Sequence, residues 1–301
     1  MGTSTAQIRI GISGWRYPPW RGSFYPEGLV QARELEFASR QFPAVELNGS
    51  FYSLQHPSSY ERWAADTPDG FVFAVKGPRY ITHNLRLRNA RVAMANFFAS
   101  GVLALGAKLG PLLWQLPPNM AWDADLLDRF LRQLPRNTDD ALRLARERDD
   151  RMHGKEWLQP VAPMRLRHAL EVRHPTFCQG DTVALLRRHE VALVVADTGG
   201  RWPEVGDVTA DFLYLRLHGP RQLYASDYSA AQLAEWGRRI RAWARGATPE
   251  GIATLSNDPA PAATARNVFC FFDNTGKTHA PKNALQLARE LALDDQLHIG
   301  R

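Results

Sequence analysis

Eight short apolar segments, each followed by residues with helical periodicity, constrain the fold of this chain more than any other feature of its sequence. Most of them are hydrophobic without interruption, as in residues 192–196, Ala-Leu-Val-Val-Ala. Such segments are typical of strands that are buried on both faces of a parallel sheet. The predicted strands are Ile8–Ser13, Ala44–Asn48, Phe71–Lys76, Pro111–Leu116, His168–Arg173, Ala192–Asp197, Phe212–His218 and Val268–Asn274. Eight strands that alternate with helices predict an α/β protein with a closed (β/α)8 barrel, the TIM-barrel fold.

An open, doubly wound sheet is the alternative architecture, and the turn after the first strand counts against it. Gly11 and Gly14 do not have the spacing of the G-x-G-x-x-G dinucleotide fingerprint that such sheets often carry at this turn. A TIM barrel occupies about 250 residues. The 301 residues of the chain therefore predict a single domain over residues 1–301.

Helix starts and one irregular connection can also be located in the sequence. Asp123 and Ser229 each precede an amphipathic segment and are predicted N-caps. Pro281 is predicted to open the last helix, because the first helical turn tolerates a missing N–H group. The segment Arg136–Met164 does not fit the strand–helix repeat and contains a predicted charged helix over Asp139–Met152. We interpret it as an elaborated, irregular connection between strands four and five.

Composition and charge narrow the class of protein. Cys178 and Cys270 are far apart and lack metal-ligand spacing, which argues against a disulfide scaffold and a structural zinc site. No apolar run reaches the roughly 20 residues of a membrane span, and residues 1–7 lack a secretory signal pattern. We therefore expect a cytoplasmic protein without a membrane partner. The net charge of +6 can attract polyanions, although no block of five or more consecutive basic residues is present.

Each predicted strand is apolar until its carboxyl end and then becomes polar or ionisable. In a TIM barrel, these ends form the rim that carries the active site. Converging buried titratable groups are costly unless they serve a function, so we interpret this rim as the candidate site. The predicted catalytic residues are Glu46, Lys76, Glu171, His218 and Asp273. The predicted substrate-binding residues are Trp15, Tyr17, Asn48, Tyr52, His83, Gln115, Arg173, His174, Asp197, Arg216 and Asn274.

The residue types at the rim restrict the chemistry without selecting one reaction. Side chains two positions apart in a strand share a face. Three pairs are therefore expected on the same side: Glu46 with Asn48, Glu171 with Arg173, and Arg216 with His218. Carboxylates beside cations can supply an acid and a base near neutrality. Lys76, Arg173 and Arg216 can hold a phosphate or a carboxylate. A divalent metal stays open, although the interleaved cations compete for the carboxylates, and no cofactor is identified.

Several of these rim segments resemble the YecE-like family, also called domain of unknown function 72. The matching blocks include Gly14-Trp15-Arg16-Tyr17, Val45-Glu46-Leu47-Asn48, Glu171-Val172-Arg173-His174-Pro175, Arg216-Leu217-His218-Gly219 and Phe272-Asp273-Asn274, in the same order along the chain. The resemblance implies a TIM barrel and no established activity. Analogy of fold with sugar-isomerase and endonuclease barrels suggests phosphosugar or nucleic-acid chemistry for such proteins.

Two functional hypotheses follow from these observations. The first is an enzyme, a hydrolase, lyase or isomerase, that acts on a small anionic and possibly sugar-like substrate. Glu46 and Glu171 would then be base and acid, and Lys76, Arg173 and Arg216 would anchor the anion. The second is a nucleic-acid-binding or nuclease-like protein, favoured by the basic charge and by aromatic residues such as Trp15 and Tyr52 that can stack on bases. The sequence leaves the oligomeric state open.

Overall fold

The computed structural model describes residues 6–293 and contains a closed barrel of eight parallel strands. The strands are β1 (Ile8–Ser13), β2 (Ala44–Leu47), β3 (Val72–Lys76), β4 (Leu109–Gln115), β5 (His168–Glu171), β6 (Ala192–Asp197), β7 (Phe212–Leu217) and β8 (Asn267–Phe272). Their order around the barrel follows the chain, and β8 pairs with β1 through partners such as Ile8 and Val268. The predicted TIM barrel is confirmed, and the alternative of an open sheet is wrong.

Nine α-helices surround the barrel within the described residues. They are α1 (Glu34–Gln41), α2 (Gly49–Tyr52), α3 (Pro57–Ala65), α4 (Arg91–Ala99), α5 (Ala124–Arg132), α6 (Thr138–Ala145), α7 (Gly180–Arg188), α8 (Ala230–Ala244) and α9 (His279–Glu290). Both predicted N-caps are confirmed: Asp123 accepts from the Leu126 N–H, and Ser229 forms a capping box with Gln232. The last helix begins at His279, so Pro281 lies within its first turn and does not open it. None of these helices is long and apolar enough to cross a membrane.

The interior of the barrel is filled because some strands contribute small side chains and others contribute large ones. Alanines of β2, β3, β5 and β6 leave space that aromatic side chains of β7 and β8 fill: Phe212, Tyr214, Phe269 and Phe271. Gly11 of β1 is part of the same fit, because a Cβ atom there would lie 2.1 Å from the Ala44 carbonyl oxygen. The apolar filling occupies the lower and middle layers of the barrel. Arg9 and Arg167 stack on Phe269 and Phe212 at the amino end of the strands, and the larger set of polar side chains lies at the carboxyl end.

Two connections depart from the simple strand–helix repeat. The connection from β4 to β5 is elaborated as predicted, but the predicted helix Asp139–Met152 is wrong, since α6 ends at Ala145 and a short 3-10 turn follows at Asp150–Met152. Asp149 exchanges hydrogen bonds with the amide of Asn96 in α4, and this tertiary contact replaces continued helix. Between β6 and β7, residues 198–211 contain no helix. That irregular segment lies beside the barrel mouth and contributes Trp202 to it.

Candidate active site at the barrel mouth

Arg216 of β7 lies at the centre of a buried charge cluster formed by four strands. Its Nε and Nη2 atoms donate to the two carboxylate oxygens of Glu46, at 2.9 and 2.8 Å. Nη2 also donates to Asp273 Oδ2 at 2.8 Å, and Nη1 donates to Glu171 Oε2 at 2.7 Å. Arg216, Glu46 and Glu171 are at most 1% exposed. One guanidinium group thus joins three carboxylates from β2, β5 and the end of β8. We call these four residues the Arg216 cluster.

The N–H groups of Arg216 are all used within the protein. Its Nη1 atom also lies 3.5 Å from Gln115 Oε1 and 3.4 Å from His218 Nε2, and Nη2 lies 3.4 Å from Ser13 Oγ. No donor is therefore left for a substrate. The expectation that Arg216 anchors a substrate anion is corrected by this geometry, because a fully buried guanidinium with five engaged N–H groups holds the protein's own carboxylates together.

The three residue pairs expected on one side of the sheet do lie together. Asn48 Nδ2 donates to Ser13 Oγ at 2.8 Å, and that hydroxyl donates to Glu46 Oε1 at 2.5 Å. Arg173 Nε donates to Glu171 Oε1 at 2.7 Å. Tyr214, two residues before Arg216, also faces inward and donates from its hydroxyl to Glu46 Oε2 at 2.7 Å. The sequence analysis missed Tyr214, although the same two-residue alternation that placed Arg216 could have found it.

Two carboxylates of the cluster, those of Glu171 and Asp273, are held in their ionised form. Burial alone would raise the pKa of Glu171, but Arg173 and Arg216 hold it well below its usual range. The pKa of Asp273 is lowered in the same way, against the effect of burial, by Arg216 and His218. The Nδ1 atom of His218 lies 3.0 Å from Asp273 Oδ2. Glu171 therefore stays a carboxylate at neutral pH, which corrects its expected role as the acid of an acid–base pair.

Lys76, at the end of β3, is a rim group whose pKa is lowered towards neutrality. Burial lowers its pKa to about 8, and the positive charge of Arg216 adds to that effect. The ammonium lies 4.1 Å from the centre of the Phe51 ring, and the side chain is 7% exposed. Among residues 6–293, no carboxylate oxygen lies within 4.0 Å of it. Lys76 thus combines partial access to the mouth with an uncommitted amine.

Arg173 and His83 extend this basic side of the mouth. Arg173 stacks on Trp202, with its guanidinium carbon 3.7 Å from the ring centroid, and its Nη2 atom lies 3.4 Å from the Tyr224 hydroxyl. Burial, together with the positive charges of Lys76 and Arg173, lowers the pKa of His83 to about 4. The sequence analysis missed Trp202 and Tyr224, because both lie in loops without periodicity. We call Lys76, Arg173 and His83 the basic side of the mouth.

Three predicted rim residues have structural partners outside the Arg216 cluster. Asp197 accepts from the Tyr228 hydroxyl at 2.9 Å and from the Gly199 N–H at 3.2 Å, which fixes the loop after β6. Asn274 donates to Asn283 of α9 and to a loop carbonyl, and it is fully buried. His174 caps the short 3-10 turn Pro175–Phe177. These side chains hold the loops of the rim in place.

The predicted aromatic residues form a cavity beside the mouth. Its volume is about 250 Å³, and its lining includes Trp15, Tyr17, Asn48, Tyr52 and Trp63. Trp15 packs edge-on against Trp63, with ring centroids 5.5 Å apart, and both are 7% exposed. Tyr52 is 72% exposed. We call this cavity the aromatic slot.

The carboxylates of the mouth do not form a metal site. Within the described part of the chain, no group of three or more His, Cys, Asp or Glu side chains is placed to hold a metal ion. The reason is visible in the cluster, since Glu46, Glu171 and Asp273 converge on the guanidinium of Arg216. The guanidinium of Arg216 thus occupies the position between the three carboxylates that a metal ion would need.

The family relationship covers nearly the whole chain. A family model described as "Protein of unknown function DUF72" matches residues 9–299. The chain belongs to the DUF72 family. This DUF72 protein is 32% identical to UPF0759 protein YunF of Bacillus subtilis (strain 168) over 116 residues, which is 37% of this chain and 40% of YunF. It is 30% identical to UPF0759 protein YecE of Escherichia coli (strain K12) over 129 residues, 42% of this chain and 44% of YecE. Each match thus spans less than half of the relative.

Solved structures of other DUF72 proteins share the fold. A DUF72 family protein from Thermotoga maritima superposes with a TM-score of 0.69 at 22% identity, over 95% of this chain and 99% of that one. A DUF72 family protein from Enterococcus faecalis gives a TM-score of 0.66 at 16% identity, over 95% and 96% of the two chains. At these identities the likeness shows the barrel fold alone, and the residues of the mouth must carry any argument about function.

Proposed function

We propose that this protein is an enzyme that binds a small phosphorylated or carboxylated substrate at the barrel mouth and uses Lys76 to transfer a proton. The observation that carries the proposal is the asymmetry of the mouth. The Arg216 cluster uses every N–H group of its arginine internally, whereas Lys76 has no carboxylate within 4.0 Å among the described residues. On one side of the mouth the hydrogen-bond donors are all used within the protein. On the other side, at Lys76, a donor is still available to a ligand.

The basic side of the mouth supports the binding of an anion. Lys76 and Arg173 are both less than a tenth exposed, so an anion that reaches them meets charges screened little by water. Both positive charges, together with burial, lower the pKa of His83, so they act on the same region of the mouth, and a negative group bound there would offset them. Arg173 uses Nε for Glu171, one Nη2 N–H for the Tyr224 hydroxyl and the face of its guanidinium for Trp202, which leaves its other terminal N–H groups for a ligand.

The pKa of Lys76 supports proton transfer. A group whose pKa is about 8 is present in both the amine and the ammonium form near neutral pH. The neighbouring carboxylates remain ionised, so they stabilise positive charge on Lys76 without competing for its proton. Hydrolysis, elimination and isomerisation all use such a group. In each of them the amine removes a proton and the ammonium returns one.

A titration of the purified protein with inorganic phosphate and with sulfate tests the proposal. We expect saturable binding to the wild type, measured by calorimetry, and proton uptake on binding near pH 8. The Lys76→Met variant should bind at least tenfold more weakly. Lys155→Met is the matched control, since Lys155 is an exposed lysine away from the cluster and its loss should leave binding unchanged. Absence of binding, or equal binding by Lys76→Met, would refute the proposal.

Nucleic-acid binding is the second candidate, and one observation favours it. Exposed arginines without a carboxylate within 4.0 Å, among the described residues, follow four of the strands: Arg16, Arg79, Arg201 and Arg221. They surround the mouth with positive charge, which also steers small anions. Binding of a short single-stranded oligonucleotide that weakens steeply with salt would support this candidate. Affinity that is independent of salt would exclude it.

A further inference from the structure

The aromatic slot adjoins the Arg216 cluster but has no role in holding it together. It opens between the loops that follow β1 and β2, and its lining includes Asn48 and Tyr17. Asn48 connects to the cluster through Ser13, whose hydroxyl donates to Glu46. Tyr17 donates from its hydroxyl to the Ser13 carbonyl oxygen at 2.6 Å. A ligand that fills the slot therefore lies directly beside the mouth.

The walls of the slot are suited to a flat, apolar group. Trp15 and Trp63 pack edge-on against each other, and their rings are almost fully buried. Tyr52 contributes a ring that is 72% exposed, the highest exposure among the large hydrophobic side chains of the described residues. An exposed aromatic ring at the edge of an aromatic cavity offers a face for stacking, because every planar ring system presents a complementary face.

The polar groups of the slot are too few for a sugar ring. Asn48 has given an N–H of Nδ2 to Ser13, which leaves its buried Oδ1 as one acceptor without a partner among the described residues, and Gln55 donates from Nε2 to the Ser53 carbonyl oxygen. Tyr17 has likewise donated its hydroxyl proton. A sugar with several hydroxyl groups would lose water contacts here without recovering enough hydrogen bonds. A planar aromatic ring does not need these hydrogen bonds.

We propose that the substrate is an anion with an aromatic or heteroaromatic ring, as in a nucleoside monophosphate, and that the ring enters the aromatic slot and stacks on Tyr52. The inference rests on the proposed function, which supplies the anion at Lys76 and Arg173. The slot has about 250 Å³ of space, enough for a single ring system. Arg16, exposed at its edge, carries a positive charge that suits a ligand with further negative charge.

The test compares four probes by calorimetry: inorganic phosphate, ribose 5-phosphate, phenyl phosphate and adenosine monophosphate. We expect the two ring-bearing phosphates to bind about tenfold or more tightly than the two without a ring, as aromatic stacking provides. Tyr52→Ala should abolish this gain, and Tyr52→Phe should keep it. Tyr80→Ala is the matched control, because Tyr80 is a half-exposed tyrosine of the neighbouring groove that does not line the slot.

The outcomes separate this inference from the proposed function. Tight binding of all four probes with no gain from the ring overturns the inference and leaves the anion site standing. A gain that is lost in Tyr80→Ala but kept in Tyr52→Ala places the ring elsewhere and also overturns it. A gain for ribose 5-phosphate that depends on Tyr52 shows a sugar site instead. Failure of every probe to bind refutes the proposed function, and the inference with it.

Discussion

Replacing Arg216 by methionine leaves buried carboxylates without their common partner. Removing one partner of a buried ion pair costs about 3–5 kcal/mol, mostly because the remaining charge is stranded. Arg173 still pairs with Glu171 in the variant, whereas Glu46 loses its cation and Asp273 keeps only His218, 3.0 Å away. We expect Arg216→Met to lower the free energy of unfolding by about 5 kcal/mol or more, a large fraction of the roughly 5–15 kcal/mol typical of a domain.

The variant should also reverse the dependence of stability on pH. In the wild type, the pKa values of Glu171 and Asp273 are lowered by folding, so their contribution to stability is present above the unfolded-state pKa of about 4 and is lost as the pH falls below it. Without Arg216, burial dominates and raises the folded-state pKa of Asp273. Stability is then lost as the pH rises through that raised value. Arg216→Met should therefore be more stable at pH 5 than at pH 7.

Urea unfolding at pH 5 and pH 7 measures both effects. The control is Arg165→Met, since Arg165 is half-exposed and pairs with Glu190 and Asp211 on the surface. Such surface pairs contribute about 0–1 kcal/mol, so this variant should unfold almost like the wild type. A loss of less than about 1 kcal/mol in Arg216→Met, or a pH dependence with the sign of the wild type, would refute the reasoning.

Three further predictions concern other groups. Because sulfate binds best to the ammonium form of Lys76, its affinity should fall as the pH rises above about 8, whereas in Lys76→Met the calorimetric affinity should not change over this range. His168 is fully buried, and desolvation lowers its pKa to about 4, so its NMR signals should not titrate between pH 7 and 5. Its unfolded-state pKa is about 6.5, so as the pH falls from there towards 4 the unfolded chain takes up a proton that the folded His168 does not, and the stability of the fold decreases. Gly11→Ala should cost about 3 kcal/mol in urea unfolding because its Cβ meets the Ala44 carbonyl, whereas Gly180→Ala has ordinary space and should cost little.

The barrel could be predicted because its strands are encoded locally. Each predicted strand overlaps the observed one, and the bounds differ by at most two residues, as at β4, predicted from Pro111 and observed from Leu109. Buried parallel strands need apolar residues on both faces, and that pattern survives in the sequence. The predicted helix over Asp139–Met152 was wrong because its end is set by the contact of Asp149 with Asn96, a partner 53 residues away that no local pattern reveals.

The sequence was enough to predict which residues lie at the rim, but not which of their side chains contact one another. Position along each strand was enough to place Glu46, Glu171 and Arg216 at the rim. The roles of these residues depend on the position of the Arg216 guanidinium. That position is set by its hydrogen bonds to Glu46 and Glu171, which lie on other strands of the barrel. Trp202 supports Arg173 from a segment of irregular structure, where neither periodicity nor turn chemistry points to a function.

The position of Arg216 also has a consequence for how the chain folds. Its carboxylate partners are 170, 45 and 57 residues away along the chain. A partial barrel that lacks β2 or β8 would bury this guanidinium, or one of its carboxylates, without the full set of partners. The cost of stranding those charges disfavours intermediates in which only some strands have assembled. The barrel is therefore expected to close in the same step in which these charges are paired, and the pairing favours the closed barrel over an open sheet of the same strands.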